Sequence, residues 1–373
     1  MPVTVKEVAS RSDLKAFIYL PEKIHAGHAN WVHPLYSDEW DFYNPAKNQF
    51  FASCSTILLL AYRGDEVCGR IMGIVNHKYN DVHHEENGRF FALECYHDPE
   101  TAFALIQYIE DWCRKQGMKK VIGPFGFSDK DPQGFMIEGF DFPAIIATNY
   151  SLPYMVDLME QCGYAKEIDC VDYQLPIPKV IPEFYKNIAN RTIETNSFIL
   201  VEYESRRQLR PVIGPVFELI NKTYYDIYGF SELTPKEINY FAYRYLAIIN
   251  PRFVKVIYNG KGELIAFALA MPELSEGIRN ARGKLFPFGF LKILKASRDS
   301  RLLTMLLGAI RDDYRNGGLD AVLGIKMLES AQKQNFLSLD SHLVLETNTK
   351  MRAEYERLGG TIGKRYRIYK KIL

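Results

Sequence analysis

A single order of elements runs through this chain twice, and the repetition leaves few folds open. In the second half, residues 253–259 alternate as a strand, Lys261 and Gly262 turn, and residues 264–271 return to close a hairpin. A loop with Pro272, Gly277, Gly283 and Pro287 leads to an apolar strand, Leu302–Ile310. The loop 311–318 opens into a helix over Leu319–Lys333, and residues 342–346 read as a buried strand. Met351, Tyr355 and Leu358 then share one helix face at i, i+4 and i+7. Gly359 and Gly360 stop that helix, because glycine adopts left-handed backbone easily, and Thr361–Ile372 closes as strand.

The first half repeats the order. Residues 55–62 and 67–75 form a hairpin about Arg63-Gly64-Asp65, and 89–95 is the third strand. Ala102, Leu105, Ile106, Ile109, Trp112 and Cys113 recur at helical spacing, with Asp98 as cap, Pro99 at the first helical position and Gly117 as the stop. Lys120–Gly123 is a short strand, an insertion rich in Gly, Phe and Asp spans 124–148, and a helix over 153–161 ends at Gly163. The expected class is therefore α/β, with mixed sheets in two tandem units over 1–178 and 179–373. Residues 175–182 (LPIPKVIP) carry three prolines and suit an extended linker. Two helices should follow it. One has Leu209, Val212, Ile213, Val216, Phe217, Ile220 and Tyr224 in a stripe, and the other has Ile238, Phe241, Tyr245, Ile248 and Ile249.

Length and composition agree: 373 residues suit about two domains, and 47% hydrophobic residues suit a packed core. Lys+Arg (46) nearly cancel Asp+Glu (45), so no global field holds a polyanion, which argues against nucleic acid as partner. No apolar run approaches the ~20 residues of a spanning helix, and the N-terminus lacks a secretory layout, so a cytoplasmic location is expected. The six cysteines form no C-x-x-C pair and read as buried free thiols. His83-His84-Glu85-Glu86 reads as a solvated loop, because adjacent side chains seldom converge on one ion; no metal is expected.

Chemistry concentrates in two places. Tyr314-Arg315-Asn316-Gly317-Gly318-Leu319 joins a strand to a helix, whose first N–H groups favour an anion. Thirty residues on come Leu345-Glu346-Thr347-Asn348 and Tyr355-Glu356-Arg357-Leu358-Gly359. The order, spacing and context resemble the GNAT superfamily of acyl-CoA-dependent N-acyltransferases. The resemblance implies that Arg315, Asn316, Gly317, Gly318 and Leu319 hold the donor's pyrophosphate. It further implies that Asn348 meets the pantetheine arm and that Tyr355 lies near the thioester sulfur. The chain departs from the pattern at Asn316, Asp320 and Gly360, and Asp312 and Asp313 oppose an anion unless they turn away.

An amine attacks a thioester only when neutral, so a base is useful, and Glu346 at the strand end is the candidate. Its other reading is a carboxylate paired with a nearby Arg or capping the next helix. Tyr355 would protonate the leaving thiolate; otherwise it is a core tyrosine. The N-terminal half has Glu94-Cys95-Tyr96-His97-Asp98 at the corresponding helix start, and Met159 where the tyrosine would stand. That half reads as a degenerate GNAT-like domain that shapes the acceptor pocket, with Glu94, Asn149, Tyr150 and Tyr154 as substrate-binding candidates. Aromatic clusters at 31–43 and 286–290 (FPFGF) suit an apolar groove between the halves.

The resemblance thus implies transfer of an acyl group from acyl-CoA, or from acyl carrier protein, to an amine, with acyl-CoA as co-substrate and no prosthetic group. The acceptor would be a small amine or a lipid-like one, the latter entailing peripheral membrane contact. The layout is similar to bacterial tandem-GNAT proteins and, more faintly, to the acyltransferases that make bacterial ceramides. A non-catalytic acyl-CoA-binding protein and an aminoacyl transferase using charged tRNA are the alternatives, the latter requiring a basic face.

Overall fold

The computed structural model describes residues 1–246 and 249–373. The first half runs β1 (Val3–Glu7), α1 (Arg11–Ile24), α2 (Tyr36–Phe42), β2 (Cys54–Arg63), β3 (Glu66–Asn76), α3 (His77–His83) and β4 (Asn87–Cys95). It continues with α4 (Pro99–Lys115), β5 (Lys120–Gly123), β6 (Phe135–Glu138), α5 (Tyr154–Gln161) and β7 (Ala165–Pro176). The second half opens with α6 (Glu183–Asn196), β8 (Ile199–Glu202), α7 (Arg206–Thr223), α8 (Pro235–Leu246), β9 (Val254–Tyr258) and β10 (Leu264–Pro272). There follow α9 (Ser275–Asn280), α10 (Gly289–Asp299), β11 (Leu302–Ile310), α11 (Leu319–Lys333), β12 (Ser338–Leu345), α12 (Thr349–Arg357) and β13 (Thr361–Ile372).

Among the described residues thirteen strands make one mixed sheet, ordered β1-β2-β3-β4-β5-β13-β7-β12-β11-β10-β9-β8, with β6 also on β13. Each half's last strand is exchanged. β13 pairs with β5 of the first half, placing Tyr369 opposite Gly123, while β7 pairs with β12 of the second, placing Val171 opposite Val344. The two exchanged strands also pair with each other, Val171 opposite Arg365.

Period-two alternation sorts side chains to the two faces of this sheet. Val256, Phe267 and Leu269 face a core shared by α1, α7 and α8, which joins Phe17, Tyr43 and Phe127 to Leu209, Phe217 and Phe241. Ile257, Ala266 and Ala268 face the opposite core, with Leu319 and Val322 of α11 and Ala189 of α6. Helix starts follow local rules. Ser10 and Asp13 form a capping box at α1, and Asp98 caps α4 with Pro99 in its first turn.

Several expectations need correction. The linker begins later, because Leu175 and Pro176 belong to β7. Three helices and a strand, not two helices, precede the second hairpin, α6 and β8 being the additions. The α7 stripe packs as expected even though Pro211 and Pro215 lie inside the helix. In α8, Ile238 and Phe241 pack on the core with Ile249 beyond it, whereas Ile248 and the Tyr245 side chain lie outside the described residues. The loop after β10 holds α9 and α10. Trp31, Tyr36 and Tyr43 are buried, but Phe286 and Phe288 are 82% and 68% exposed, so the two aromatic clusters do not line one groove. His83 faces the Phe230 carbonyl while Glu85 and Glu86 pair with Lys120 and Lys119, so these three side chains go to separate partners. The six cysteines are free thiols, four of them buried.

Candidate functional site

β11 and β12 pair in parallel only from Leu302–Thr304 against Ser338–Asp340, and then diverge. Beyond Thr304 the β12-facing edge of β11 therefore has no strand beside it among the described residues. A break in register on its other edge, between Leu269 and Ala270 of β10, accompanies the splay. The start of α11 lies at the end of this strand. Gly318 caps the helix at φ +84°, with no side chain of the described residues bonded to its first N–H groups. A Cβ at Gly318 would sit 2.4 Å from the Thr192 hydroxyl of α6, so both conformation and space require glycine here.

The acidic neighbours turn away from this helix start. Asp313 is held in a fork by Arg311 at 2.7 and 2.9 Å. Asp312 accepts from Tyr225 at 2.8 Å and pairs with Arg315 at 2.7 Å. Arg315 also donates to the carbonyls of Ile310 and Thr223, both at 3.3 Å, so it braces the loop while remaining half-exposed. Asn316, at φ +62°, accepts from Lys350 at 3.4 Å. That lysine stands in the first turn of α12 and adds a cation to the loop, and sequence reading missed it.

The corresponding place in the first half is closed. Asp98 caps α4 through the Glu100 N–H at 3.2 Å, and Arg63 bridges Asp98 and Glu100 at 2.7 and 2.8 Å. Tyr154 reaches from α5 to donate to the Cys95 carbonyl at 2.8 Å, bridging the end of β4, and its ring stacks on His97. This helix start offers carboxylates where the other offers open N–H groups.

The remaining sequence candidates fall into three groups. Glu346 accepts from Lys166 at 2.7 Å and from the Asp169 N–H at 3.1 Å, so its carboxylate is engaged on the β7 side. Asn348 caps α12, its oxygen accepting from the Met351 N–H at 3.3 Å. Tyr355 stacks on Tyr173 at 5.6 Å, and burial, followed by the charges of Asp340 and Asp172, raises its pKa and keeps it a phenol. Glu94 and Tyr150 converge on His25, with Glu94 Oε2 3.2 Å from His25 Nε2 and the Tyr150 ring 6.0 Å away edge-on. Asn149 instead donates to the Gly134 carbonyl, tying the insertion to itself, and Tyr154 serves the closed half as described.

Sequence reading missed a polar cluster at the splay. Asp172, Asp340 and Lys364 are buried, with Lys364 Nζ 2.5 Å from Asp172 and 3.6 Å from Asp340. Next along β12, His342 has φ +58°, and its Nε2 is sealed from solvent without a hydrogen-bond partner. Burial lowers its pKa despite the Asp340 charge, leaving a neutral imidazole. Glu273 accepts from Thr304, Ser275 and the Ile146 N–H, and burial raises its pKa. The available signal was Asp340-Ser341-His342 in an otherwise apolar strand. On the opposite face from α11, a small, wholly apolar cavity of about 60 Å³ lies between α7, α8 and the sheet. Leu209, Phe217, Leu246 and Phe267 line it, and Leu307 extends its wall onto the splayed part of β11.

No family model matches the chain. Over 381 residues, covering 100% of this chain and 98% of the relative, it is 28% identical to a protein of Caulobacter vibrioides (strain NA1000 / CB15N) described as a bacterial ceramide synthase. It is 27% identical over 382 residues to Protein YghO of Escherichia coli (strain K12), covering 98% of this chain and 95% of that protein. Among solved structures it superposes on a tandem GNAT protein from the clavulanic acid biosynthesis pathway with TM-score 0.56, 11% identity and 99% and 98% coverage.

Proposed function

From a chain with the tandem GNAT fold, we propose an N-acyltransferase that moves a long acyl group from acyl-CoA to a lipid-like amine. The carrying observation is the uncapped start of α11 at the splay, flanked by Arg315 and Lys350, against the carboxylate-capped start of α4 in the other half. The donor's pyrophosphate would meet the N–H groups of residues 316–319, and the amide nitrogen of Asn348 would be free for the pantetheine arm. The wholly apolar lining of the cavity under α7 and α8 favours an alkyl group over a polar one, since each buried CH₂ contributes ~0.8 kcal/mol. Full-length similarity to a bacterial ceramide synthase favours a lipid-like acceptor.

In this reading the amine reaches the thioester from the His25–Glu94 side. His342, neutral and with an unpartnered nitrogen, takes the proton as nitrogen bonds the acyl carbon. The oxyanion is met by N–H groups on the open edge of β11, and Tyr355 donates to the departing thiolate. Glu346 is too firmly engaged to serve as base. Glu346→Gln should therefore leave the pH profile of turnover unchanged, and a lost titration limb would restore it as base.

Thermal shift with acyl-CoAs of graded length tests the donor. Stabilisation should grow with chain length, and adding a long-chain amine should release free CoA thiol. The absence of a shift at any length would sink the reading. Stabilisation without thiol release across an amine panel would leave an acyl-CoA-binding protein.

A further inference from the structure

Helix α10 is attached to the body by a narrow stripe. Gly289 is buried against Ala281 and the Lys284 carbonyl, Ile293 enters a small core with Leu274 and Ile278, and Ala296 abuts Gly277 of α9. Everything else on this element faces outward. Phe286, Phe288, Phe290, Leu291 and Leu294 are 82%, 68%, 40%, 52% and 59% exposed, forming one contiguous apolar ridge. Large apolar side chains exposed together on a surface mark an interaction site.

Charge surrounds the ridge with one sign. Residues 279–301 hold seven Lys or Arg against a single acid, Asp299, a net of +6 in a chain whose total is +1. The near-neutral total therefore hides a strongly basic patch beside a strongly apolar one. Lys284, Lys292, Lys295 and Arg298 flank the ridge and are themselves exposed. Long basic side chains can lay their stems along apolar surface and hold their charges at its rim.

We infer that α10 and the 286–288 loop dock this protein on the surface of an anionic lipid bilayer. Phe and Leu side chains with flanking cations are what an in-plane interfacial helix presents. A second copy of this chain fits poorly, because it would bring +6 against +6. The position is informative as well. The small core under α10 includes Val32, Leu35 and Ile146 of the first half and Leu306 of β11, so the docked face adjoins the junction of the halves beside the splay. Docking stands on the ridge and its charge, independent of the proposed acyl transfer.

Flotation of the full-length protein with vesicles tests this. The protein should float with phosphatidylcholine vesicles containing phosphatidylglycerol and stay behind with pure phosphatidylcholine. High salt should weaken the binding. The triple change Phe286→Ser, Phe288→Ser, Leu291→Ser should reduce bound protein about tenfold, as should Lys292→Glu with Lys295→Glu. These side chains are exposed, so melting temperature and the acyl-CoA thermal shift should match the parent, which separates this inference from the donor reading. Flotation unaffected by both variants would overturn it. So would absent vesicle binding together with self-association, by sedimentation, that the Phe/Leu variant abolishes.

Discussion

Replacing Lys364 by Met should destabilise the protein by about 3–5 kcal/mol, measured by urea unfolding, because the buried Asp172–Asp340 pair loses its cation. Asp172 and Asp340 have no solvent exposure, and Lys364 is 1% exposed. Gln174 donates to Asp340, and the His342 N–H at 2.8 Å satisfies its other oxygen, so the site is hydrogen-bonded on all sides. Burial opposes the Lys364 ammonium, but the Asp172 and Asp340 charges outweigh it and raise its pKa. Burial and then the Asp340 charge push the Asp172 carboxyl up to about 8, overcoming the attraction of Lys364.

The pH dependence follows with a definite sign. In the unfolded chain Asp172 titrates near the ordinary 3.8, and in the native protein near 8, so between these values the native state holds a proton the unfolded state lacks. The contribution of this group is full below the lower value and is lost as pH rises through the upper one. Stability from it should therefore decline from about pH 4 to pH 8, opposite to a salt-bridged aspartate. Asp172→Asn should flatten that decline at little cost near neutrality. An unchanged slope would mean that Asp172 is ionised in the native state.

The second large effect is catalytic. Tyr355→Phe should lower turnover about a hundredfold while the acyl-CoA thermal shift stays the same, since only the thiolate's proton source is removed. His342→Gln should lower it comparably and also erase the acid limb of the pH profile, which in the parent falls as His342 protonates below its lowered pKa. Equal loss of donor affinity and turnover in both variants would make these residues structural.

Much of the secondary structure was legible in the sequence, because the strands and helices are strongly periodic. Leu302–Ile310, Leu319–Lys333, Lys120–Gly123 and Thr361–Ile372 were readable to their bounds. β12 was read only from residue 342 because Asp340, Ser341 and His342 interrupt its apolar pattern, and these residues build the polar cluster. α10 was hidden by Gly283, Pro287 and Gly289, and by an apolar face that points to solvent, which reverses the usual amphipathic signal. The turn at Arg315–Leu319 was visible, since glycines and a helix start are local features. The engagement of Glu346 was not, because Lys166 lies 180 residues away in sequence. The exchange of β7 and β13 was equally hidden, as both strands have the same pattern and either could pair at home.

That exchange makes each half depend on the other whatever either one binds. The first half's fifth strand is the template on which the other half's closing strand is laid, and its own closing strand walls the splay from the far side. Lys364 on β13 and Asp172 on β7 meet at that seam. Deleting the framework of the first half would therefore leave the second half's final strand without its partners. Each half is scaffolding that the other cannot shed.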